Sequence, residues 1–181
     1  MTDMADDAVL ETPRLLIRRF RRDDLAAFAA IMGDPVTLRL WPRLFAREDV
    51  AAWIERAMAE SERPGYGRRV VILKEDGALI GDAGVLRVEL MGRQRNDLGY
   101  ILDHRVNGRG LATEAAAALR DHAFACGLED VWANMATDHT ASRRVAQKLG
   151  MTLVATWRNA RNRNMETCLF GQRADGARPL S

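Results

Sequence analysis

The chain has 181 residues, which is long enough for one medium-sized domain with a self-sufficient core. It is 48% hydrophobic and 29% charged, and its 27 basic and 25 acidic residues nearly balance, which argues against a general nucleic-acid binder. The N-terminus carries acids where a signal peptide carries bases, and no apolar run approaches the length of a membrane span, so we expect a cytoplasmic protein with no membrane partner.

The first part of the chain predicts one strand and two helices. Residues 14–20 form the strand, and Asp23 or Asp24 can cap a helix whose apolar residues keep helical spacing to Met32. The sequence GDP ends this helix, and after a loop a second helix is predicted over about 47–60, with acids in its first turn. Residues 1–10 are predicted to be disordered.

From residue 68 the pattern changes to strands and then to alternating helices and strands. Short polar turns join predicted strands at 68–76, 78–90 and 97–102, as in antiparallel hairpins. A long alanine-rich helix (about 109–126), a strand (130–136), a helix (about 139–149) and two strands (near 152–158 and 165–171) follow. This order predicts an α/β (α+β) fold, a mixed sheet covered by helices, within residues 11–172, and a disordered tail over 173–181.

A basic, glycine-containing loop precedes the alanine-rich helix. Asn107-Gly108 alone would suit a hairpin turn, but the following LATEAAAALRDHAF does not alternate and consists largely of good helix formers. A strand, a glycine loop and a helix N-terminus together make an anion site, because unpaired N–H groups and the helix dipole converge there. Glycine at 108 and 110 would let a bulky anion such as a nucleotide phosphate approach; the alternative is that both glycines only permit a tight turn.

The loop resembles the pyrophosphate-binding motif R/Q-x-x-G-x-G/A of the GNAT superfamily N-acetyltransferases, in particular the branch of the ribosomal-protein N-terminal alanine acetyltransferases. Six other segments resemble landmarks of that branch in its order and spacing: ETPRLLIRRF (11–20), GDPV (33–36), LIGDAGV (79–85), NDLGYIL (96–102), DHTASRRVAQKLGM (138–151) and METCLFG (165–171). The resemblance implies a GNAT fold: a mixed, mostly antiparallel sheet of six to seven strands, splayed at its centre between 96–102 and 130–136 and flanked by about four helices.

The same resemblance implies that acetyl-CoA binds in the central cleft as the cosubstrate. Backbone amides from Val106 to Leu111 would hold its pyrophosphate, and the backbone of residues 101–102 would pair with its pantetheine arm. The implied cofactor contacts are Ile101, Leu102, Arg105, Val106, Asn107, Gly108, Arg109, Gly110, Leu111, Thr113, His139 and Ser142. No metal is implied, and the three histidines show no metal-ligand spacing.

Ser142 is the first candidate catalytic residue. It shares a stripe with Asp138, Val145 and Leu149, which faces the body of the protein. Its hydroxyl either bonds to its own helix or points into the cleft. In similar enzymes the matching serine can protonate the leaving thiolate, and the tyrosine that many GNAT enzymes use one turn later is Ala146 here. The resemblance therefore leaves the general-acid role to Ser142 or to a water.

Two further positions depart from the branch. His139 stands where relatives usually carry an asparagine, and it is either a cofactor contact or a solvated cap. Asp97 stands where the branch usually has glutamate, and alternation places it on one strand face with Gly99 and Ile101. Asp97 is the candidate general base, directly or through water; the alternative is a salt bridge to a neighbouring arginine.

The acceptor is predicted to be a primary amine with a low pKa. An α-amine, with a pKa of about 7.7–8.0, is roughly one tenth neutral at pH 7, whereas a lysine side chain, with a pKa of about 10.4, is neutral in about one molecule in 2,000. This difference favours a protein N-terminal α-amine, of the ribosomal-protein alanine type. A small-molecule amine (antibiotic, polyamine or amino acid) and a non-catalytic CoA-binding sensor are the alternatives.

Segments 39–45 and 157–164 are implied to line the acceptor side of the cleft. The candidate substrate contacts are Trp41, Asp97, Trp157 and Arg158. Arginines in these loops either attract an acidic substrate or only keep the surface soluble. Dimers are common among similar proteins, so a homodimer is a further possibility.

Overall fold

The computed structural model describes residues 8–177, which form one eight-stranded mixed sheet and four α-helices. The strands are β1 (Ala8–Glu11), β2 (Leu15–Arg18), β3 (Gly67–Leu73), β4 (Leu79–Leu90), β5 (Arg93–Leu102), β6 (Asp130–Ala136), β7 (Thr152–Asn159) and β8 (Met165–Arg173). The helices are α1 (Leu25–Met32), α2 (Arg47–Glu60), α3 (Leu111–Ala125) and α4 (Thr140–Lys148). None of these helices is long and apolar enough to cross a membrane.

The sheet opens at its centre. Its order is β1-β2-β3-β4-β5-β6-β8-β7, and every neighbouring pair is antiparallel except β5 and β6. These two strands are parallel and pair only at Asp97 and Trp132, so beyond residue 97 they diverge. The mixed, mostly antiparallel sheet with its central splay and four helices confirms the predicted fold class.

The strand count exceeds the predicted six to seven because β1 begins inside the segment predicted to be disordered. Leu10 pairs with Ile17 of β2 and packs against the core, so one apolar residue anchors this short edge strand despite its acidic surroundings. The rest of that predicted segment, residues 1–7, lies outside the described residues. At the other end, β8 extends to Arg173, and residues 178–181 of the predicted tail lie outside the described residues.

Strand β5 begins earlier than the sequence predicts. The polar segment 91–96 is a turn only at Met91 and Gly92, whose φ angles of 51° and 73° suit a two-residue hairpin loop. The four polar residues that follow belong to the strand, because the β4–β5 pairing continues to Leu90 and Arg93. The polar composition of this segment therefore predicted the hairpin correctly but overestimated the length of its loop.

Two hydrophobic clusters bury the two faces of the sheet. One contains Phe28 of α1, Ile54 of α2 and Ile101 of β5. The other contains Leu119 of α3 and Leu98 of β5. Because side chains alternate along a strand, β5 presents residues 97, 99 and 101 to the α1–α2 layer and residues 98, 100 and 102 to the α3–α4 layer. Where β5 and β6 diverge, side chains of both sets line the open cleft between the two strands.

Candidate active site

The loop before α3 is an open cradle of backbone donors. Gly108 and Gly110 have φ angles of 78° and 76°, and a Cβ added at Gly108 would meet nothing within 4 Å. Glycine is therefore required by the backbone conformation, and the space above it is free. No side chain caps α3, and the N–H groups from Gly108 to Thr113 have no backbone or side-chain acceptor within residues 8–177. This geometry fits an anion at the helix N-terminus.

The donors of this cradle lie further along the chain than predicted. The Val106 N–H donates to the Asp103 carbonyl at 3.1 Å, and the Asn107 N–H donates to the His104 carbonyl at 3.1 Å. Both amides are thus consumed by a short 3₁₀ turn over residues 104–106. The amides free to hold a pyrophosphate run from Gly108 to Thr113 rather than from Val106 to Leu111.

Arg105 and Arg109, both predicted cofactor contacts, are each paired with a carboxylate. Arg105 pairs with Asp103, and Arg109 pairs with Glu75 at 2.7 Å. Neither arginine lines the cavity beside the loop. The sequence motif could not show these carboxylate partners, one of which comes from the β3–β4 turn.

The cavity beside the loop has a volume of about 370 Å³. Its walls include the remaining predicted cofactor contacts: Ile101, Leu102, Val106, Asn107, Gly108, Gly110, Leu111, Thr113, His139 and Ser142. Three further basic residues line it, Arg39, Arg144 and Lys148, and none of them forms an ion pair with another described residue. They supply the positive charge that the loop arginines do not.

The open edge of β5 offers backbone groups to this cavity. The Ile101 carbonyl faces β4, because a Cβ added at Gly81 would lie 2.0 Å from that oxygen. In an antiparallel pair, successive residues direct their N–H and C=O groups to opposite edges. The groups of Tyr100 and Leu102 therefore face the splay. The prediction for Leu102 stands, and Tyr100 rather than Ile101 is the expected second backbone partner.

A second cavity, of about 350 Å³, lies in the splay itself and is lined from both faces of the sheet, by Leu98, Ala116 and Ala146 on the α3–α4 side as well as by residues of the α1–α2 side. Asp97, Gly99, Arg68, Trp41 and Trp53 contribute to its walls. The two cavities share Leu40, Trp41, Tyr100, His139, Ser142 and Val145. The cleft is thus continuous from the glycine loop to the far side of the sheet.

Trp157 and Arg158, predicted to contact the acceptor, line neither cavity. Strand β7 continues to Asn159, so both residues lie within the strand and pair with β8. The connection begins after Asn159 rather than at residue 157, and Asn159, Arg161 and Asn162 line the second cavity in their place. Trp41 does line it and packs edge-on against Trp53, with ring centroids 6.3 Å apart.

Asp97 is a carboxylate held without a cationic partner. The Asn134 side-chain amide donates to it at 2.9 Å, and no ion pair within residues 8–177 includes it. The neighbouring Arg68 pairs with Asp82 instead, so the salt-bridge alternative is not realised. Burial raises the pKa of Asp97 to about 6, against the opposing hydrogen bond from Asn134 and the charge of Arg68. Such a pKa suits a general base near neutral pH.

Ser142 stands where the two cavities meet. Its hydroxyl accepts a hydrogen bond from the Tyr100 hydroxyl at 3.1 Å and lies 3.2 Å from Nε2 of His139. It makes no hydrogen bond to a carbonyl of its own helix among the described residues, so it points into the cleft. Burial raises the pKa of Tyr100 and lowers that of His139, which keeps both side chains neutral at pH 7.

His139 caps α4, and its contact with the cofactor stays a prediction. Its Nδ1 accepts from the Ser142 backbone N–H at 3.4 Å and so caps α4, while the ring lines both cavities. The tautomer that accepts at Nδ1 carries its proton on Nε2. In that tautomer the Ser142 oxygen receives two donors, from His139 and Tyr100. The hydroxyl hydrogen of Ser142 is then free to be donated to a group in the cleft.

No cluster of three or more His, Cys, Asp or Glu side chains among residues 8–177 could hold a metal ion.

Comparison with known proteins agrees with this geometry. The family model described as an acetyltransferase (GNAT) domain matches residues 14–152. An uncharacterized N-acetyltransferase of Bacillus subtilis, YnaD, is 26% identical over 144 residues, which cover 78% of this chain and 81% of YnaD.

Solved structures share the architecture. An acetyltransferase from Agrobacterium tumefaciens is 27% identical, with a TM-score of 0.74 over 91% of this chain and 93% of that protein. RimL, the ribosomal L7/L12 alpha-N-protein acetyltransferase solved in complex with coenzyme A, has a TM-score of 0.80 over 94% of this chain and 100% of RimL. At 17% identity, the likeness to RimL concerns the fold alone.

Proposed function

Because the chain belongs to the GNAT acetyltransferase family, and is therefore an acetyl-CoA-dependent acetyltransferase, we propose that it acetylates the N-terminal α-amine of a protein or peptide. One observation carries the proposal: the cleft divides into a side with free backbone donors and a side with a carboxylate, and both meet at Ser142. This division separates the binding of the acetyl donor from the deprotonation of the acceptor. That RimL is by name an alpha-N-protein acetyltransferase is consistent with it.

The first cavity suits the acetyl donor, which supplies the acetyl group as a thioester. The amides of Gly108–Thr113 would hold its pyrophosphate, and the three unpaired basic residues beside them would attract its phosphates. The free edge of β5 at Tyr100 and Leu102 would bind the amide-rich arm as an added strand does. The open space above Gly108 supports this assignment, because no atom of residues 8–177 beyond Gly108 and its two chain neighbours lies within 4 Å of a Cβ added there.

Asp97 is the proposed general base because it lines the second cavity, which would hold the acceptor amine, and not the first cavity, which would hold the acetyl donor. With a pKa of about 6 it is mostly ionised at pH 7 and can accept a proton from an ammonium group. Moving a proton from an α-amine, pKa about 7.7–8.0, to such a group costs roughly 2–3 kcal/mol, whereas a lysine side chain, pKa about 10.4, would cost roughly 6 kcal/mol. The site is therefore matched to the α-amine.

Ser142 is the proposed general acid. Two donors into its oxygen, Tyr100 and His139, orient its hydrogen toward the cleft and stabilise the negative charge that develops when the hydrogen leaves. As Ser142 protonates the departing thiolate, the Tyr100 hydroxyl can return a proton to the Ser142 oxygen, and the phenolate then regains a proton from solvent; neutral His139 keeps its Nε2 proton and acts as a hydrogen-bond donor. Tyr100 thus supplies from β5 a phenol that position 146 on α4, an alanine, lacks.

The test is thiol release from acetyl-CoA with a panel of amines. A peptide with a free N-terminal alanine should be the better substrate than an N-blocked peptide carrying lysine. Asp97→Asn and Ser142→Ala should each lower kcat/KM by about 10²–10⁴-fold, the usual contribution of general acid–base groups. The matched controls are Asp121→Asn on the exposed side of α3 and Thr140→Ala two residues before Ser142, which should change kcat/KM little.

Other outcomes would support one of the alternative functions. Faster turnover of a small amine than of any peptide would favour the small-molecule alternative. Tight CoA binding without turnover of any amine would overturn catalysis and favour a sensor. The cytoplasmic location and the homodimer stay predictions. Gel filtration with light scattering tests for the homodimer.

A further inference from the structure

Arg68 is an arginine that the proposed chemistry leaves unused. It lies on β3 and pairs with Asp82 of β4 through two hydrogen bonds, Nε to Oδ2 and Nη2 to Oδ1, each 2.8 Å long. Both side chains are buried, with 7% and 0% of their surface exposed. Trp53 also donates to the Asp82 carboxylate, at 3.1 Å. A bidentate pair of this kind fixes the guanidinium in one orientation.

The third nitrogen of this guanidinium faces the acceptor cavity. Nη1 has no hydrogen-bond acceptor in the part of the chain that the structure describes. It lies over Gly99, where an added Cβ would come within 2.7 Å of it. Arg68, Gly99 and Asp97 all line the same cavity. Because residue 99 has no side chain, Nη1 can reach the cavity above it.

Asp97 and Gly99 lie two residues apart on one strand face, about 6.6–6.8 Å along the strand. The cation above Gly99 and the carboxylate at Asp97 form no ion pair. An α-amino carbonyl group carries its nitrogen and oxygen roughly 3 Å apart. With hydrogen bonds of about 2.9 Å at each end, such a group spans up to roughly 9 Å, which exceeds the strand spacing of the two positions, so its length is compatible with contacts to both side chains.

We propose that Arg68 Nη1 binds the carbonyl or carboxylate oxygen next to the acceptor amine, so that the acceptor class is an α-amino carbonyl compound. This inference rests on the proposed function and adds its second recognition point. A lysine ε-amine has no oxygen at that distance from its nitrogen and would leave Nη1 without a hydrogen bond to the bound acceptor. The opposing view is that Arg68 only neutralises the buried Asp82.

The test compares L-alaninamide with isopropylamine, which has a methyl group in place of the carboxamide. Two variants remove the Nη1 contact by different means. Arg68→Lys keeps the charge opposite Asp82 but has no third nitrogen. Gly99→Ala keeps the arginine but places a methyl group 2.7 Å from Nη1, which forces the guanidinium to shift and covers Nη1 from the cavity. Arg87→Lys, on the neighbouring strand and outside both cavities, is the control. Circular dichroism and CoA binding report whether each variant is folded.

We expect the ratio of kcat/KM for L-alaninamide over isopropylamine to fall about 10- to 100-fold in both variants, as for the loss of a hydrogen bond from a charged donor, and to be unchanged in the control. Because the ratio is compared between enzymes, the different pKa values of the two amines cancel. Equal losses for both amines, or no loss, would show that Arg68 is structural and would overturn the inference.

A third substrate, L-alanine, separates the two sources of the oxygen. Preference for L-alanine would indicate a free amino acid, and preference for L-alaninamide the N-terminal residue of a peptide. If the unaltered enzyme acetylates these amines with no dependence on Arg68, only the inference fails. If it acetylates no amine at all, the proposed function fails with it.

Discussion

Replacing Asp97 with asparagine should stabilise the protein and slow its reaction at the same time. Burial raises the pKa of this carboxyl to about 6 from an ordinary 3.8. Asparagine has nearly the same shape and can still accept the hydrogen bond that Asn134 donates at 2.9 Å. It carries no charge at any pH, so the variant is free of the penalty for ionising a buried group.

The size of the effect follows from these two pKa values. The gap between 3.8 and about 6 corresponds to up to about 3 kcal/mol, at about 1.4 kcal/mol for each pKa unit. Because the folded pKa is the higher one, the stability linked to Asp97 is fully present below pH 3.8 and is lost as the pH rises through 6. The variant should therefore exceed the unaltered protein by about 1 kcal/mol at pH 4.5 and by about 3 kcal/mol at pH 8.

Urea unfolding followed by circular dichroism at these two pH values measures the difference, provided that both proteins unfold with the same dependence on denaturant. Thiol release with an N-terminal alanine peptide measures the activity of the same samples. Asp121→Asn is the control, because the Asp121 side chain is 65% exposed and pays no comparable penalty.

Two results would refute the reasoning. A stability difference that is absent at pH 8, or equal at pH 4.5 and pH 8, would mean that no ionised carboxylate is held at a cost in the native site. A gain in stability with full activity would mean that the buried charge exists but is not the base.

Three further predictions concern the donor side and the junction. Gly110→Val, at a φ angle of 76°, should raise KM for acetyl-CoA more than tenfold. The control Gly92→Val, at 73° in the β4–β5 hairpin, should carry similar backbone strain of roughly 1–3 kcal/mol and leave KM unchanged. Unfolding of the first variant with unaltered affinity per folded molecule would mean that Gly110 only serves the turn. Tyr100→Phe should lower kcat about 5- to 20-fold with little change in KM, as the loss of one hydrogen bond to Ser142 requires, and an unchanged kcat in stopped-flow thiol release would contradict it. The double variant Arg144→Ala, Lys148→Ala should weaken CoA binding and flatten its dependence on salt, measured by titration calorimetry; an unaltered salt dependence would remove both residues from the phosphate site.

The donor half of the cleft was largely predictable because its signals are local. Helix formers directly after Gly110 indicated α3, and the period of two along residues 97–102 assigned each side chain to its face. The family resemblance then supplied the ligand. What the motif could not show was where the backbone donors begin, because the 3₁₀ turn that uses the amides of Val106 and Asn107 depends on the strand that precedes it.

The acceptor half was less predictable because its contacts join distant segments. Arg68 meets Asp82 only through the register of β3 and β4, and Tyr100 meets Ser142 across 42 residues of sequence. Each contact requires knowing which strands are neighbours and how they are aligned. Trp157 pairs with Thr167 of β8 and lines neither cavity, so its contact with the acceptor stays a prediction.

The most direct test of the account is the position of the acetyl group on one peptide that carries both a free N-terminal alanine and a single lysine. Incubation with acetyl-CoA near pH 7, followed by fragmentation mass spectrometry, measures the rate at each amine. The account predicts that the α-amine is acetylated at least about 100-fold faster, since its lower pKa makes deprotonation roughly 3–4 kcal/mol easier. Acetylation mainly at the lysine, or equally at both amines, would contradict it.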